Sequence, residues 1–275
     1  MPHSTEKPES IEAYVNYHLP PPKGEPYPIQ MIATIGFQRT KYDRQLVPVT
    51  DMRTCDEEFG LDKQGFKVVE STIQEKQWDG DYRFGLPPQL QRDVQELLMR
   101  QRDPHENILN IPDHLPDSEV LSMQPPAMFI HVEIVLNRLP EAEMLRGKTK
   151  TRWGIVNVWQ PLKSVRREPL AVCDARSVEE SDLRPVTTRI VIGKPPNTMN
   201  KDNEQWHMVA SPQHKWYYAS NMNPDEALLI KIFDTKLDGR ARRVPHTAIQ
   251  TPKDEGPPRE SIEIRCLVFW ENQDL

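Results

Sequence analysis

Short runs in which apolar residues alternate with polar ones dominate the second half of this 275-residue chain. Residues 128–135, 153–159, 170–173, 189–192, 215–218, 227–234 and 260–270 read as strands, with 66–69 as a further one upstream and edge strands between 32 and 49. One stretch has the other period. After Leu86-Pro87-Pro88, the residues Leu90, Val94, Leu97 and Leu98 fall three and four apart, which predicts a helix that Asp103-Pro104 ends. Seven or so strands joined by Pro-rich connections predict an all-β sandwich or barrel with flanking helices, and exclude a βαβ fold. Residues 1–30, with Pro20, Pro21, Pro22, Pro26 and Pro28, predict an extended arm on the body of a single domain spanning 31–275.

Composition sharpens this picture. The chain holds 27 prolines against 11 glycines, which argues for loop-rich connections and against long helices. A net charge of -6 comes from interspersed acids and bases, with no basic stripe carrying aromatics, so nucleic acid is not an expected partner. Arg240, Arg242 and Arg243 form the one basic cluster and are expected in a solvated loop. Cys55, Cys173 and Cys266 lack CxxC spacing, which fits a reducing compartment and excludes a zinc-finger or disulfide framework. Residues 1–10 are polar and no run of 18 apolar residues occurs, so a cytoplasmic protein without a membrane partner is expected.

The chemistry centres on His131-Val132-Glu133. Side chains two apart on a strand share a face, with their Cα atoms about 6.5 Å apart, so an imidazole and a carboxylate there can grip one metal ion. His246, 115 residues later and just before a further strand, can supply a third ligand. Two histidines and a carboxylate on one side of a metal leave the opposite positions open, as non-haem Fe(II) needs for a cosubstrate and O₂. Thirteen residues beyond His246, alternation puts Arg259, Ser261, Glu263 and Arg265 on one strand face. A guanidinium there can fork onto a carboxylate, with a hydroxyl adding a third hydrogen bond, as the distal carboxylate of 2-oxoglutarate would require. The plainer alternative is a salt-bridged strand in which Glu263 partners Arg265. Of the other histidines, His3, His18 and His105 are expected to be exposed, His114 to lie in a surface loop, and His207 and His214 to reach the mouth of the site at most.

An ordered set of blocks resembles the hydroxylase/desaturase family of fungal secondary metabolism, which is itself similar to a bacterial protein involved in cephamycin methoxylation. The blocks are Asn157–Leu162, Pro169–Ala171 with Cys173-Asp174, His214–Tyr218, Asp225-Glu226, Lys231–Asp234, Pro245–Ala248 and Pro258–Arg265, covering residues 30–270. The resemblance implies a jelly-roll (double-stranded β-helix, cupin-like) barrel and an Fe(II)/2-oxoglutarate oxygenase acting on a natural-product scaffold. It implies His131 and His246 as imidazole ligands and Arg259 as the cosubstrate clamp, with Arg265 as second choice. Asn157, Tyr217 and Tyr218 would line the substrate pocket. Two positions depart from the family. Glu133 stands where Asp is usual, although the related clavaminate-synthase-like group uses Glu there, and Ile249 replaces a common aromatic and is expected to reshape the pocket.

Three function classes stay open at this level: the oxygenase, a redox-neutral cyclase, dehydratase or isomerase on the same scaffold, and a non-catalytic partner subunit. Hydroxylation, desaturation and oxidative cyclisation are not distinguished, and neither are a monomer and a homodimer.

Overall fold

The computed structural model describes residues 8–32, 34–71, 127, 130–134, 151–192, 199–257 and 259–274. The helix expected between Leu86-Pro87-Pro88 and Asp103-Pro104 lies outside these residues. Within them the chain is mainly β, with one short α-helix, α1 (Ile35–Gln38), and 3-10 turns at Met52–Thr54, Ala175–Ser177 and Glu180–Asp182. The strands are β1 (Ser10–Tyr17), β2 (Gln30–Ile32), β3 (Asp43–Asp51), β4 (Phe66–Glu70), β5 (His131–Ile134), β6 (Thr151–Pro161), β7 (Leu170–Cys173), β8 (Leu183–Ile192), β9 (Met199–Met208), β10 (Trp216–Tyr218), β11 (Glu226–Asp234), β12 (His246–Ala248) and β13 (Ser261–Asp274).

Two sheets result among the described residues. The larger runs β1-β3-β10-β7-β12-β5-β9-β8-β2 and the smaller β13-β6-β11-β4. The pairing is nested: β5 lies against β12, β6 against β11 and β7 against β10, all antiparallel. Such a ribbon, crossing from the large sheet to the small one and back as it goes, is a jelly roll. The β7–β12 and β6–β13 pairs complete each sheet. Residues 10–17, expected as part of an extended arm, form β1, a full partner of β3 with Ala13, Val15 and Tyr17 buried.

Alternation sorts the apolar residues into two clusters. Between the sheets, Phe66, Ile155, Trp159, Val172, Leu228, Ile230 and Val244 pack together. On the other face of the large sheet, Ala13, Val15, Tyr17, Val49, Ala171, Cys173, Met208, Trp216 and Ile249 form the second cluster. The basic cluster is not the solvated loop that charge alone suggests. Arg240 pairs with Asp238 and Asp62, Arg242 donates to the Asp234 carbonyl, and Arg243 pairs with Glu180 while lying over the Trp206 ring. No helix among the described residues is long and apolar enough to cross a membrane.

Gly65 joins the turn before β4 to the loop that leads into β12. Its φ of +93° is a left-handed conformation, and a Cβ there would overlap the Val244 side chain and press on Ala241. Gly65→Ala should therefore cost about 3 kcal/mol, from backbone strain and overpacking together, read as a lowered urea midpoint. A midpoint equal to that of the wild type would mean the loop yields freely.

Candidate metal and cosubstrate site

Register builds the site. Tyr217 pairs with Val172, Val172 with His246, His246 with His131, and His131 with His207. Directly opposed residues share a face of a sheet, so these five form one row across it, on the side where Val172 meets the inter-sheet core. On the small sheet, Arg265 pairs with Asn157, Asn157 with Ile230, and Ile230 with Phe66. The Phe66 ring lies 5.9 Å from that of Tyr217, so the two rows face each other across the interior.

His131 and His246 are buried with ring centroids 4.5 Å apart and planes inclined at 53°. Two imidazoles bound side by side to one divalent ion bring their ring centres to about that separation, given metal–nitrogen bonds near 2.1 Å. The His246 Nδ1 lies 3.0 Å from the Val244 carbonyl oxygen. A carbonyl only accepts, so Nδ1 carries the hydrogen and Nε2 keeps its lone pair, the state a metal ligand needs. Burial, with His131 adding to it, pushes the His246 imidazole down to about 3, so it is neutral at physiological pH. The donor set thus fits a first-row divalent metal. Glu133 follows two residues along β5, with its backbone opposite Gln205; its side chain lies outside the described structure. Among the described residues, no group of three His, Cys, Asp or Glu is gathered for a metal.

The opposite wall carries the cations. Arg259 and Ser261 are buried and Ile264 is 37% exposed, as alternation requires, but Ile262, of the opposite parity to Ser261, is buried as well. The Arg259 Nη1 donates to the Glu168 carbonyl at 2.8 Å, and its guanidinium lies 5.2 Å from the Trp159 ring centre. Glu168 adopts a left-handed backbone, φ +49°, which a non-glycine residue rarely takes up. Burial draws the Arg259 guanidinium down to about 10, with Glu168 and Glu263 opposing the shift, so it stays charged. Deeper along the strand, Asn157 bridges its neighbours. Its Nδ2 donates to Glu263 Oε1 at 2.7 Å, and its Oδ1 accepts from Arg265 Nε at 3.2 Å. Arg265 and Glu263 also approach to 3.8 Å, so the plainer salt-bridge alternative is partly realised. Burial pushes the Glu263 carboxyl up to about 7 against the pull of Arg259, although 28% of its side chain stays accessible.

Several expectations need correction. Tyr217 faces the interior beside Phe59 and Phe66, but Tyr218, the next residue, points to the other face and packs on the second cluster. Ile249 is fully buried in that same cluster and so does not shape a pocket between the sheets. His18 is not exposed; it is buried, stacked on Tyr27 and set edge-on to His207. His214 is held by the Tyr17 hydroxyl at 3.2 Å and Asp182 at 3.1 Å, in a structural role beside the second cluster. His3, His105 and His114 lie outside the described residues. Sequence reading missed β9 and with it Gln205. The alternation of Gln205 and His207 with Trp206 and Met208 was the available signal, masked by the polar run from 200 to 205.

A jelly roll with paired histidines on one wall and buried arginines on the other is the frame of a non-haem metal oxygenase. Comparison with known proteins agrees. Residues 15–269 match the family described as an oxidoreductase/YMDC permease-like domain. The hydroxylase/desaturase efuI of Hormonema carpetanum is 44% identical over 270 residues, spanning 88% of this chain and 89% of that protein. The hydroxylase/desaturase CTB9 of Cercospora beticola is 39% identical over 286 residues, spanning 94% and 86%. A solved structure of the iron and alpha-ketoglutarate-dependent endoperoxidase NvfI superposes with a TM-score of 0.64 over 94% of this chain and 98% of that one, at 23% identity, a likeness of fold. The chain belongs to this oxidoreductase family, among the fungal hydroxylase/desaturases.

Proposed function

We propose that this protein is an Fe(II)/2-oxoglutarate-dependent oxygenase that hydroxylates, desaturates or oxidatively cyclises a small natural-product scaffold. The observation that carries the proposal is the His131–His246 pair, 4.5 Å apart and in register, with His246 Nδ1 tied to a carbonyl so that Nε2 is available. In this reading His131, Glu133 and His246 hold the iron. Arg259 holds the distal carboxylate of 2-oxoglutarate and Ser261 adds a hydroxyl, while Tyr217, Asn157, Glu263 and Arg265 line the space for substrate. When bound, iron and 2-oxoglutarate together supply the oxidising chemistry that removes hydrogen from the substrate. The chain's own share is to keep the His246 imidazole neutral by burial, to fix the Arg259 fork with the Glu168 carbonyl, and to exclude water with the Phe59, Phe66 and Trp159 rings. The three cysteines are free in the structure, which fits a cytoplasmic setting.

The direct test is anaerobic addition of Fe(II) and 2-oxoglutarate, read by the visible charge-transfer absorption of the complex, followed by succinate release on admitting air. Absence of both would reject the oxygenase. Arg259→Leu should raise the 2-oxoglutarate concentration for half-saturation by about 30-fold or more, from loss of a charge-assisted bidentate contact, while iron affinity without cosubstrate changes little. An unchanged half-saturation would move the clamp to Arg265.

A further inference from the structure

We propose that Glu263 is the proton acceptor of the cosubstrate site: when the distal carboxylate of 2-oxoglutarate docks on Arg259, Glu263 takes up one proton from solvent. This rests on the oxygenase reading and adds to it a group that answers the charge of the arriving ligand.

Glu263 stands between two cations. Its backbone is opposite Trp159 in the β13–β6 register, and the Arg259 guanidinium lies 5.2 Å from the Trp159 ring centre, over the cross-strand neighbour of Glu263. On its other side, Arg265 Nη2 approaches Glu263 Oε1 to 3.8 Å, too far for a hydrogen bond. Asn157 Nδ2 donates to that same Oε1 at 2.7 Å, while Asn157 Oδ1 accepts from Arg265 Nε. Asn157 is fully buried, so its amide is held in this one orientation by both neighbours. Glu168 stands beside Arg259, with its carbonyl bonded to Nη1. The row facing this wall from the large sheet carries His131, His246 and Tyr217.

Charge balance gives the arrangement its consequence. A buried guanidinium needs negative charge near it, and Glu168 and Glu263 both supply it to Arg259. The dependence is mutual. Arg259 is the charge that opposes burial at Glu263, whose carboxyl is pushed up to about 7 even so. A ligand carboxylate forked onto Arg259 cancels that cation's field at Glu263 and adds a like charge close by. Burial is then unopposed, and Glu263 gives up its charge near neutral pH. Because Oε1 already accepts from Asn157, the proton adds to Oε2 and the Asn157 bond survives. The sign follows. Protonation that is stronger in the bound state makes binding tighter at low pH and weaker as the pH rises past the ligand-free value of about 7. Binding should be about four- to eightfold weaker at about pH 8 than at about pH 6.5.

The test titrates the full chain, loaded with Fe(II) under anaerobic conditions, with 2-oxoglutarate. The charge-transfer absorption gives the affinity across this pH range. Calorimetry in HEPES and in Tris, whose ionisation heats differ, counts the protons taken up. Wild type should take up a sizeable fraction of one proton at about pH 7.5. Glu263→Gln keeps the size and the acceptor for Asn157 but cannot gain a proton. It should bind 2-oxoglutarate about fivefold or more tighter than wild type at about pH 8, with an affinity level across the range. A merely structural role predicts the reverse, since a disturbed strand weakens binding at every pH. Equal heats in the two buffers, or a pH slope that persists in Glu263→Gln, overturns the proposal. Should that variant not fold, the wild-type heats decide, because the absence of proton uptake sinks the idea by itself. A wild-type protein that shows no absorption at any pH removes both this inference and the oxygenase reading. A normal band without proton uptake removes this inference alone.

Discussion

His246→Ala should lower iron retention and succinate release about a hundredfold or more, the largest catalytic effect expected of any single change in this chain. Three features converge on that expectation. His246 is paired in register with His131 and buried, so no solvent-borne ligand easily takes its place. Its Nδ1 is committed to the Val244 carbonyl, which presents Nε2 in one orientation. Its low pKa keeps it unprotonated across the physiological range, so the wild-type site needs no deprotonation before binding metal. Iron content after anaerobic desalting, together with succinate formed on exposure to air, measures the effect. His214→Ala is the contrasting control, because His214 serves Tyr17 and Asp182 instead; it should cost stability but leave iron affinity within about threefold. Iron held normally by His246→Ala, with succinate release intact, would remove the metal assignment altogether.

How much of this could be read from the chain differs by feature. The strands that became β6, β7, β11 and β13 were legible because they are long or strongly apolar. β9 was not, since residues 200–205 are polar and its identity as a strand comes from pairing with β5 and β8 rather than from its own pattern. His131 and His246 were readable as candidates from type and context, but only register brings together residues 115 positions apart. Tyr217 and Tyr218 show the limit most simply. Adjacent residues on a strand face opposite ways, so a motif that names both cannot have both in one pocket. Family blocks also mix purposes. Lys231–Asp234 is one of the resembling blocks, as is the one around His246, yet Lys231 and Asp234 are fully buried in an ion cluster with Arg152 and Asp62.

That cluster sets the largest stability effect. Asp234 accepts from Arg152 through Nε and Nη2, from Lys231 Nζ at 2.8 Å and from the Lys236 amide at 2.9 Å. Burial alone would raise its carboxyl, but these donors outweigh it and hold the pKa below the usual aspartate value. Asp234→Ala would leave two buried cations with Asp62 as their one carboxylate among the described residues, and its side chain is 54% exposed and therefore a weakly held counter-charge. The expected cost is about 3–5 kcal/mol, the usual result of removing one partner from a buried ionic group. Asp62→Ala, at the wet edge of the same cluster, should cost about 1 kcal/mol or less. The pH dependence follows from the direction of the shift. A carboxyl depressed on folding contributes its full stabilisation above the unfolded aspartate pKa, near 4, and loses it as the pH falls through the lower folded value. Wild type should therefore weaken more steeply than Asp234→Ala below about pH 4, and the two urea midpoints should converge in acid. A constant gap between them down to that range, or a cost under 1 kcal/mol at neutral pH, would show that the cluster is held by packing and not by charge.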